Sequence, residues 1–386
     1  MIARQAVHAT ELNADLIGVP GSRWRLATPA LVIDLDRFEE NVARMTDHAR
    51  ANTIALRPHA KTHKCSEIAR RQIAAGALGI CVAKLGEAEA LADAGIDAIL
   101  ITSPVVMERG IERLMALNAR IGALMAVCDN ALIAERLADA ARSGSKQLGL
   151  LVDIDPGMGR TGLPPGEAAA ALVRAVAGNP ALVFRGLQCY AGNLQHLESA
   201  NERRAKSLSA LADLDRFCRR LRAENITPEI ITGAGTGTFD IDPDARILTE
   251  LQVGSYIFMD RQYNEVWERS GATPPFGTSL FVQTTVISAN REGLATTDAG
   301  FKAFATDAGP PVIAGGAPPG ATYFFFGDEH GGIEYSSADH GLKPGDVITC
   351  AVPHCDPTVN LYDCYHLVRG DRVEAVWPIE ARGRSA

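Results

Sequence analysis

From Thr28 to about residue 245 the chain repeats one pattern: a short, almost wholly apolar run, then a stretch with helical spacing. Leu31-Val32-Ile33-Asp34-Leu35 opens it, followed by a helical pattern to about residue 51 with Phe38, Val42 and Met45 on one face. Further strands are expected at 54–57, 79–83, 97–102, 122–127, 147–153, 183–189 and 229–232. Runs this apolar suit strands covered on both faces. Seven or eight βα units in about 230 residues therefore predict a parallel (β/α)8 barrel. An open doubly wound sheet would want a glycine fingerprint after its first strand, but Leu35-Asp36-Arg37-Phe38 stands there.

After about residue 245 the helical spacing is expected to stop. Short β-rich runs follow at Ser279 to Ser288, Ala321 to Phe326, Val347 to Val352 and Val373 to Pro378, with Gly and Pro clusters between them. The domain reading is an N-terminal arm (1–27) packed with the β domain, a barrel (28–250) and a mainly β C-terminal domain (251–386). A net charge of −8 argues against a nucleic-acid or acidic-membrane partner. No apolar run is long enough to span a bilayer, and the N-terminus lacks the order of a signal peptide. Eight scattered cysteines without a CxxC pair suit reduced thiols in a cytoplasmic protein.

Residues 57–65 read Arg-Pro-His-Ala-Lys-Thr-His-Lys-Cys. Pro58 keeps the chain extended up to His59, and the pattern turns helical from Ser66. Lys61 thus lies between a strand end and a helix start, where α/β proteins place their chemistry. Arg57, His63 and Lys64 crowd it in sequence, so a lowered lysine pKa is expected, and a neutral amine can attack a carbonyl. On local grounds a solvated basic loop is an equal reading.

Other strand ends carry further candidates. Thr232-Gly233-Ala234-Gly235-Thr236-Gly237-Thr238 can turn backbone N–H groups and hydroxyls onto an anion, and it lacks the lysine of a triphosphate loop. Arg160, in the glycine-rich stretch 153–162, suits a phenolate or carboxylate; a salt bridge to Asp153 or Asp155 is the plainer reading. Tyr190 and His196 close the next strand as a ring partner and a base. In Pro353-His354-Cys355-Asp356-Pro357, an extended backbone would put His354 and Asp356 on one face with Cys355 pointing away. One imidazole and one carboxylate make an incomplete site that favours Mn²⁺ or Mg²⁺ over structural Zn²⁺.

A strand-end lysine, an anion-cradling loop and a ring-facing arginine on a barrel suggest pyridoxal 5′-phosphate. The chain resembles the fold-type III, alanine racemase-like pyridoxal-phosphate enzymes, and within them the D-threonine aldolase / D-serine dehydratase family. Arg57-Pro58-His59-Ala60-Lys61 is similar to the family's cofactor-lysine motif, and Thr232 to Gly237 to its phosphate loop. His354-Cys355-Asp356-Pro357-Thr358, followed by Asn360-Leu361-Tyr362-Asp363, is similar to its metal motif. The resemblance implies that Lys61 forms the Schiff base and Arg160 contacts the phenolic oxygen. It places Tyr190 near the pyridine nitrogen, and Thr232, Gly235, Thr236, Gly237, Ser255 and Tyr256 around the phosphate. His354 and Asp356 ligate the metal, and His196 stands where the family has a proposed catalytic histidine. A homodimer is implied, with each site shared between a barrel and the partner's β domain.

Aldolases of this family carry HisXAsp where its dehydratases carry HisXCys, and here Asp356 fills that slot. The implied reaction is metal-assisted retro-aldol cleavage of a D-3-hydroxy amino acid to glycine and an aldehyde, with His196 or a metal-bound hydroxide as base. The alternative is a dehydratase giving an oxo acid and ammonia. A racemase would need a second acid/base residue and no metal, and a non-catalytic cofactor carrier would need no β domain. Ala83 and Ala191 depart from the aldolases' Gln and His. With Tyr263 and Phe304 they are expected to set side-chain size.

Overall fold

The computed structural model describes residues 11–144, 146–336 and 341–386. Strand β1 (Ala30–Asp34) leads into a helix over Leu35–Ala51, capped by Asp34, which accepts the Arg37 N–H at 3.2 Å. Strands β2 (Ala55–Leu56), β3 (Ile80–Val82), β4 (Ala98–Ile101), β5 (Ala123–Cys128), β6 (Leu148–Asp153), β7 (Leu182–Cys189), β8 (Ile230–Gly233) and β9 (Glu250–Leu251) form one eight-stranded parallel sheet. Its order runs β2-β9-β8-β7-β6-β5-β4-β3. The two ends meet, because Leu78 N–H donates to the Leu56 carbonyl (2.9 Å), Cys81 N–H to Pro58 (2.8 Å) and Ala60 N–H to Cys81 (2.7 Å). The sheet is a closed barrel.

Alternation along the strands sorts the core. Cys81, Leu100, Met125, Val127 and Leu151 fill the barrel interior. Ile80, Val82, Ile99, Ile101, Leu124, Leu150 and Val152 face outward onto helix residues such as Ile68, Leu91, Leu114, Leu137 and Val173. Both faces are dry, which is why the strands read as continuous apolar runs.

The second sheet contains β10 (Leu280–Arg291), β11 (Leu294–Thr297), β12 (Val312–Gly315), β13 (Thr322–Phe325), β14 (Gly331–Glu334), β15 (Val347–Ala351), β16 (Cys364–Arg369) and β17 (Arg372–Pro378). Its main order is β13-β14-β11-β10-β1-β16-β17, with β15 joining β10 to β12. Here the sequence expectation needs correcting: β1 belongs to this sheet, not to the barrel. It pairs antiparallel with β10 (Ala30 opposite Gln283) and parallel with β16 (Val32 opposite His366). A central strand of a covered sheet is as apolar as a barrel strand, so the run could not say which sheet holds it. The eighth barrel strand is the two-residue β9, too short to show a pattern. Helical spacing also continues past residue 245, in a helix over Arg261–Arg269 that buries Tyr263, Val266 and Trp267 and is capped by Asp260.

Within the arm, the described residues lie against β17. Gly18 N–H donates to the Val373 carbonyl (2.8 Å) and Arg23 N–H to that of Asp371 (3.0 Å). The arm's first ten residues lie outside those described. Among the described residues no helix is long and apolar enough to cross a membrane.

Candidate active site

A cavity of about 210 Å³ opens at the carboxyl ends of the barrel strands. Seven of the eight strands reach it: His59 and Lys61 follow β2, Ala83 follows β3, Thr102 and Ser103 follow β4, and Arg160 and Thr161 follow β6. Gln188 and Tyr190 come from β7, Gly235 and Thr236 follow β8, and Gln252, Gly254 and Ser255 follow β9.

The three cations that flank Lys61 in sequence are all withdrawn from it. Arg57 forms a buried two-pronged bridge to Glu250 (2.9 and 2.7 Å), and Lys64 pairs with buried Glu87. His63 is fully buried, and desolvation pushes its pKa down to about 3, so its ring is neutral. Lys61 instead faces Asp356, Nζ to Oδ2 at 3.6 Å. That carboxylate raises the lysine pKa, outweighing desolvation and Arg160. The expected depression is therefore wrong: the amine is held protonated by an acid far away in sequence.

Arg160 makes no salt bridge to Asp153 or Asp155. Asp155 instead accepts the N–H groups of Gly157, Met158 and Gly159 (3.0, 2.7 and 3.1 Å), folding the loop. Asp153 accepts from Thr161 (2.8 Å) and Gln188 (2.9 Å), and burial pushes its pKa up to about 6. Arg160 is left exposed at the cavity, its guanidinium 5.5 Å from the centre of the Tyr190 ring. The loop salt bridge is excluded.

In the Thr232–Thr238 loop the hydroxyls of Thr232 and Thr236 are buried and have no partner among the described residues. A buried unpaired hydroxyl is costly, and such groups mark where a polar ligand group completes the bonding; Thr236 lines the cavity, Thr232 does not. Beside an amine and a guanidinium, they fit a phosphate-bearing aldehyde. Gly237 N–H is already taken by Gln195 Oε1 at 2.8 Å, and a Cβ on Gly237 would overlap the Gln195 carbonyl. Gly237 is a packing requirement; Gly235 and Thr236 face the cavity. Tyr256 also departs from expectation. Its fully buried phenol accepts from Gln72 (3.1 Å), so only its backbone is available to a phosphate, whereas Ser255 does line the cavity.

The metal motif is not extended. His354 (φ −145°, ψ 123°) caps a short helix, Cys355–Val359, whose first turn carries Asp356. His354 and Asp356 still act electrostatically on each other and on His196. Among the described residues no group of three or more His, Cys, Asp and Glu side chains could hold a metal ion. The donors are one imidazole and one carboxylate. Cys355, between them in sequence, is fully buried and its thiol donates to Asp356 Oδ1 at 3.3 Å. Such a pair fits a hard dication that draws its remaining ligands from water or substrate. Both donors come from this chain's own β domain, which brings Asp356 to 3.6 Å from Lys61.

His196 is not among the residues that line the cavity; it sits exposed, its ring 4.4 Å from that of buried Tyr263, which does line it. Desolvation, with His354 nearby, lowers its pKa to about 4. Ala83 and Tyr263 line the cavity as expected. Ala191 and Phe304 do not: Phe304 packs in the β domain with Tyr323 and Phe325.

Seven cavity residues had no role assigned from the sequence, among them His59, Thr102, Gln188 and Gln252. His59 Nδ1 accepts the Lys61 N–H (3.3 Å), leaving Nε2–H for Thr102 Oγ1 (3.0 Å). Gln188 donates to Thr102 O (3.0 Å) and accepts from Gln252 (3.2 Å). A polar residue ending an apolar run, as Thr102, Gln188 and Gln252 each do, was the available signal.

Residues 33–262 match the model of the alanine racemase N-terminal domain, and residues 279–368 that of a putative serine dehydratase domain. The chain is 37% identical to a 3-hydroxy-D-aspartate aldolase of Paracoccus denitrificans, over 100% of both chains. It is 39% identical to a D-threonine aldolase of an Arthrobacter species, over 94% of each. Among solved structures, D-threonine aldolase from Filomicrobium marinum superposes with a TM-score of 0.88 at 38% identity, covering 94% of this chain and 97% of that one.

Proposed function

Because the chain belongs to the alanine racemase-like enzymes of the D-threonine aldolase / D-serine dehydratase family, we propose that it cleaves D-3-hydroxy amino acids of the D-threonine or D-phenylserine type to glycine and an aldehyde, using pyridoxal 5′-phosphate and Mn²⁺ or Mg²⁺. It is a carbon–carbon lyase. The observation that carries the reading is the meeting of Lys61 with Asp356 in one cleft, 3.6 Å apart.

Pyridoxal phosphate, when bound, supplies the aldehyde that the lysine amine condenses with and the electron sink for the broken bond. Lys61 attacks only once deprotonated, so Asp356 must release its hold on the ammonium first. Arg160, its guanidinium 5.5 Å from the centre of the Tyr190 ring, would offer a fixed positive charge to the cofactor's phenolic oxygen, and Tyr190 would serve the ring nitrogen. Thr236 and Ser255, which line the cavity, and the buried hydroxyl of Thr232 would donate to the phosphate. His354 and Asp356 would hold the dication, which acidifies the substrate's β-hydroxyl as a Lewis acid. His196 is neutral at pH 7 and takes that proton; with a pKa of about 4 it is effective only on a hydroxyl already acidified.

Dehydration is the second reading, favoured by the putative serine dehydratase match over residues 279–368. Against it stands Asp356 in the slot the dehydratases fill with cysteine, while Cys355 is buried with its thiol 3.3 Å from Asp356 Oδ1. The resemblance supports a homodimer, though the Lys61–Asp356 pairing needs no second chain. The eight cysteines, all buried and none in a disulfide, support a cytoplasmic setting.

The test is product analysis over D-threonine, D-phenylserine, D-serine and D-3-hydroxyaspartate, with and without Mn²⁺. Glycine and aldehyde are expected, and only with metal. Oxo acid and ammonia would replace the reading with dehydration, and cleavage that survives exhaustive chelation would remove the metal from it.

A further inference from the structure

We propose that Asp307 is a positioning residue that orients His354 so that its Nε2 lone pair faces the cleft. The inference rests on the metal reading of His354 and Asp356 above and adds a residue that this reading does not contain. Asp307 Oδ2 accepts the hydrogen of His354 Nδ1 at 2.6 Å. With Nδ1 donating, a neutral imidazole keeps its lone pair on Nε2, the opposite corner of the ring. Asp307 stands on the solvent side, 52% exposed against 23% for His354, so the far corner of the ring points inward. Asp356, only 18% exposed and 3.6 Å from Lys61 Nζ, marks the cleft, and both it and His196 are within electrostatic reach of His354.

The contact is built rather than incidental. Asp307 lies in the long connection between β11 and β12, and that connection is tied to the helix following His354. Ala305 N–H donates to Thr358 Oγ1 (3.0 Å), and the same fully buried hydroxyl donates to the His354 carbonyl (2.7 Å). Tyr362 O–H donates to the Ala303 carbonyl (2.9 Å), and Arg261 donates to that of Pro310 (2.9 Å). Asp307 therefore reaches His354 from a loop whose two flanks are fixed. An imidazole ligand whose other nitrogen is held by a carboxylate has its tautomer and ring angle set in advance; without that acceptor the ring can turn over.

The experiment titrates Mn²⁺ into the pyridoxal-phosphate-loaded enzyme and follows the free-ion EPR signal, in wild type, Asp307→Ala and Asp307→Asn. Asn keeps an acceptor oxygen but not the charge. We expect Mn²⁺ to bind about 10–100-fold more weakly in Asp307→Ala and within about threefold of wild type in Asp307→Asn, a neutral acceptor being the weaker but still oriented one. The cofactor's absorption band should be unchanged in both, and turnover in Asp307→Ala should recover at saturating Mn²⁺. A loss below about tenfold in Asp307→Ala, or equal losses in the two variants, overturns the proposal, since equal losses mean charge rather than orientation. Wild-type enzyme that binds no Mn²⁺ would end the metal reading itself, and Asp307's role with it.

Discussion

Lys61 Nζ lies 3.6 Å from Asp356 Oδ2, an amine from the end of a barrel strand and an acid from the β domain of the same chain. Asp356 is the largest single influence raising the Lys61 pKa. The pair therefore couples cofactor loading to the metal motif. Replacing Asp356 with Asn removes the influence that favours the ammonium, so the Lys61 pKa falls. Loading needs the neutral amine, so the pH midpoint for pyridoxal phosphate attachment to the apoenzyme should move to lower pH in Asp356→Asn, while Mn²⁺-dependent turnover is lost. Stopped-flow absorbance of loading across pH 6 to 10 measures the midpoint. An unchanged midpoint would break the link between the two domains' residues.

The unpartnered hydroxyls of Thr232 and Thr236 separate stability from binding. Valine at 236 removes a buried oxygen that the empty protein leaves unbonded, so the apoenzyme should melt no lower than wild type. The phosphate loses a donor, which weakens pyridoxal phosphate binding by about tenfold, the worth of one charge-assisted hydrogen bond of roughly 1.5 kcal/mol. Equilibrium dialysis and apoenzyme melting curves together check it. A variant that is less stable yet binds normally would place the hydroxyl in structure rather than in the cradle.

Much of this site could be read from the chain because strand ends in a barrel converge whatever lies between them. Lys61, Arg160, Tyr190 and Thr236 each follow an apolar run, and the fold alone brings them to one cavity. Partner choice was not legible. Arg57 and Lys64 look like neighbours of Lys61, but Glu250 and Glu87 claim them, and those acids sit in unremarkable stretches. The same holds for Asp307, one acid in a loop, and for Tyr256, whose direction depends on Gln72. β1 was misplaced for a related reason: an apolar run reports burial, and both sheets bury their central strands.

Acid should weaken the fold through His63. Its pKa in the folded protein is about 3, set by complete burial, against about 6.5 in an unfolded chain. As pH falls below 6.5 the unfolded chain takes up a proton that the folded one refuses, so stability is lost progressively between pH 6.5 and 3. At pH 5 the loss from this one group is about 2 kcal/mol. Buried Asp153 and Asp242, both raised to about 6, act in the opposite sense, so wild type alone does not isolate the effect. His63→Asn does: Asn can still accept the Cys65 N–H that His63 Nδ1 accepts at 3.1 Å, but it does not titrate. Urea unfolding at pH 7.5 and pH 5 should show the variant losing about 2 kcal/mol less than wild type over that interval. Equal losses would mean that His63 is already charged in the fold.

The buried Arg57–Glu250 bridge ties β2, the strand that carries Lys61 at its end, to β9. Arg57 follows β2 and Glu250 opens β9, adjacent parallel strands of two residues each, and the two side chains are only 6% and 4% exposed. Strands this short have few ladder bonds, so the bidentate bridge carries much of their registration. Glu250→Gln leaves a guanidinium buried without its counter-charge, at a cost of about 3–5 kcal/mol. The double variant Arg57→Met with Glu250→Leu has no stranded charge, so it should lose less stability than Glu250→Gln despite changing two residues. Yet it also lacks the directional bonds holding β2, and Lys61 lies four residues beyond Arg57. Its cofactor affinity should therefore remain below that of wild type even where its urea midpoint recovers. A double variant that binds pyridoxal phosphate as wild type does would show that the barrel's hydrogen bonds alone aim the lysine.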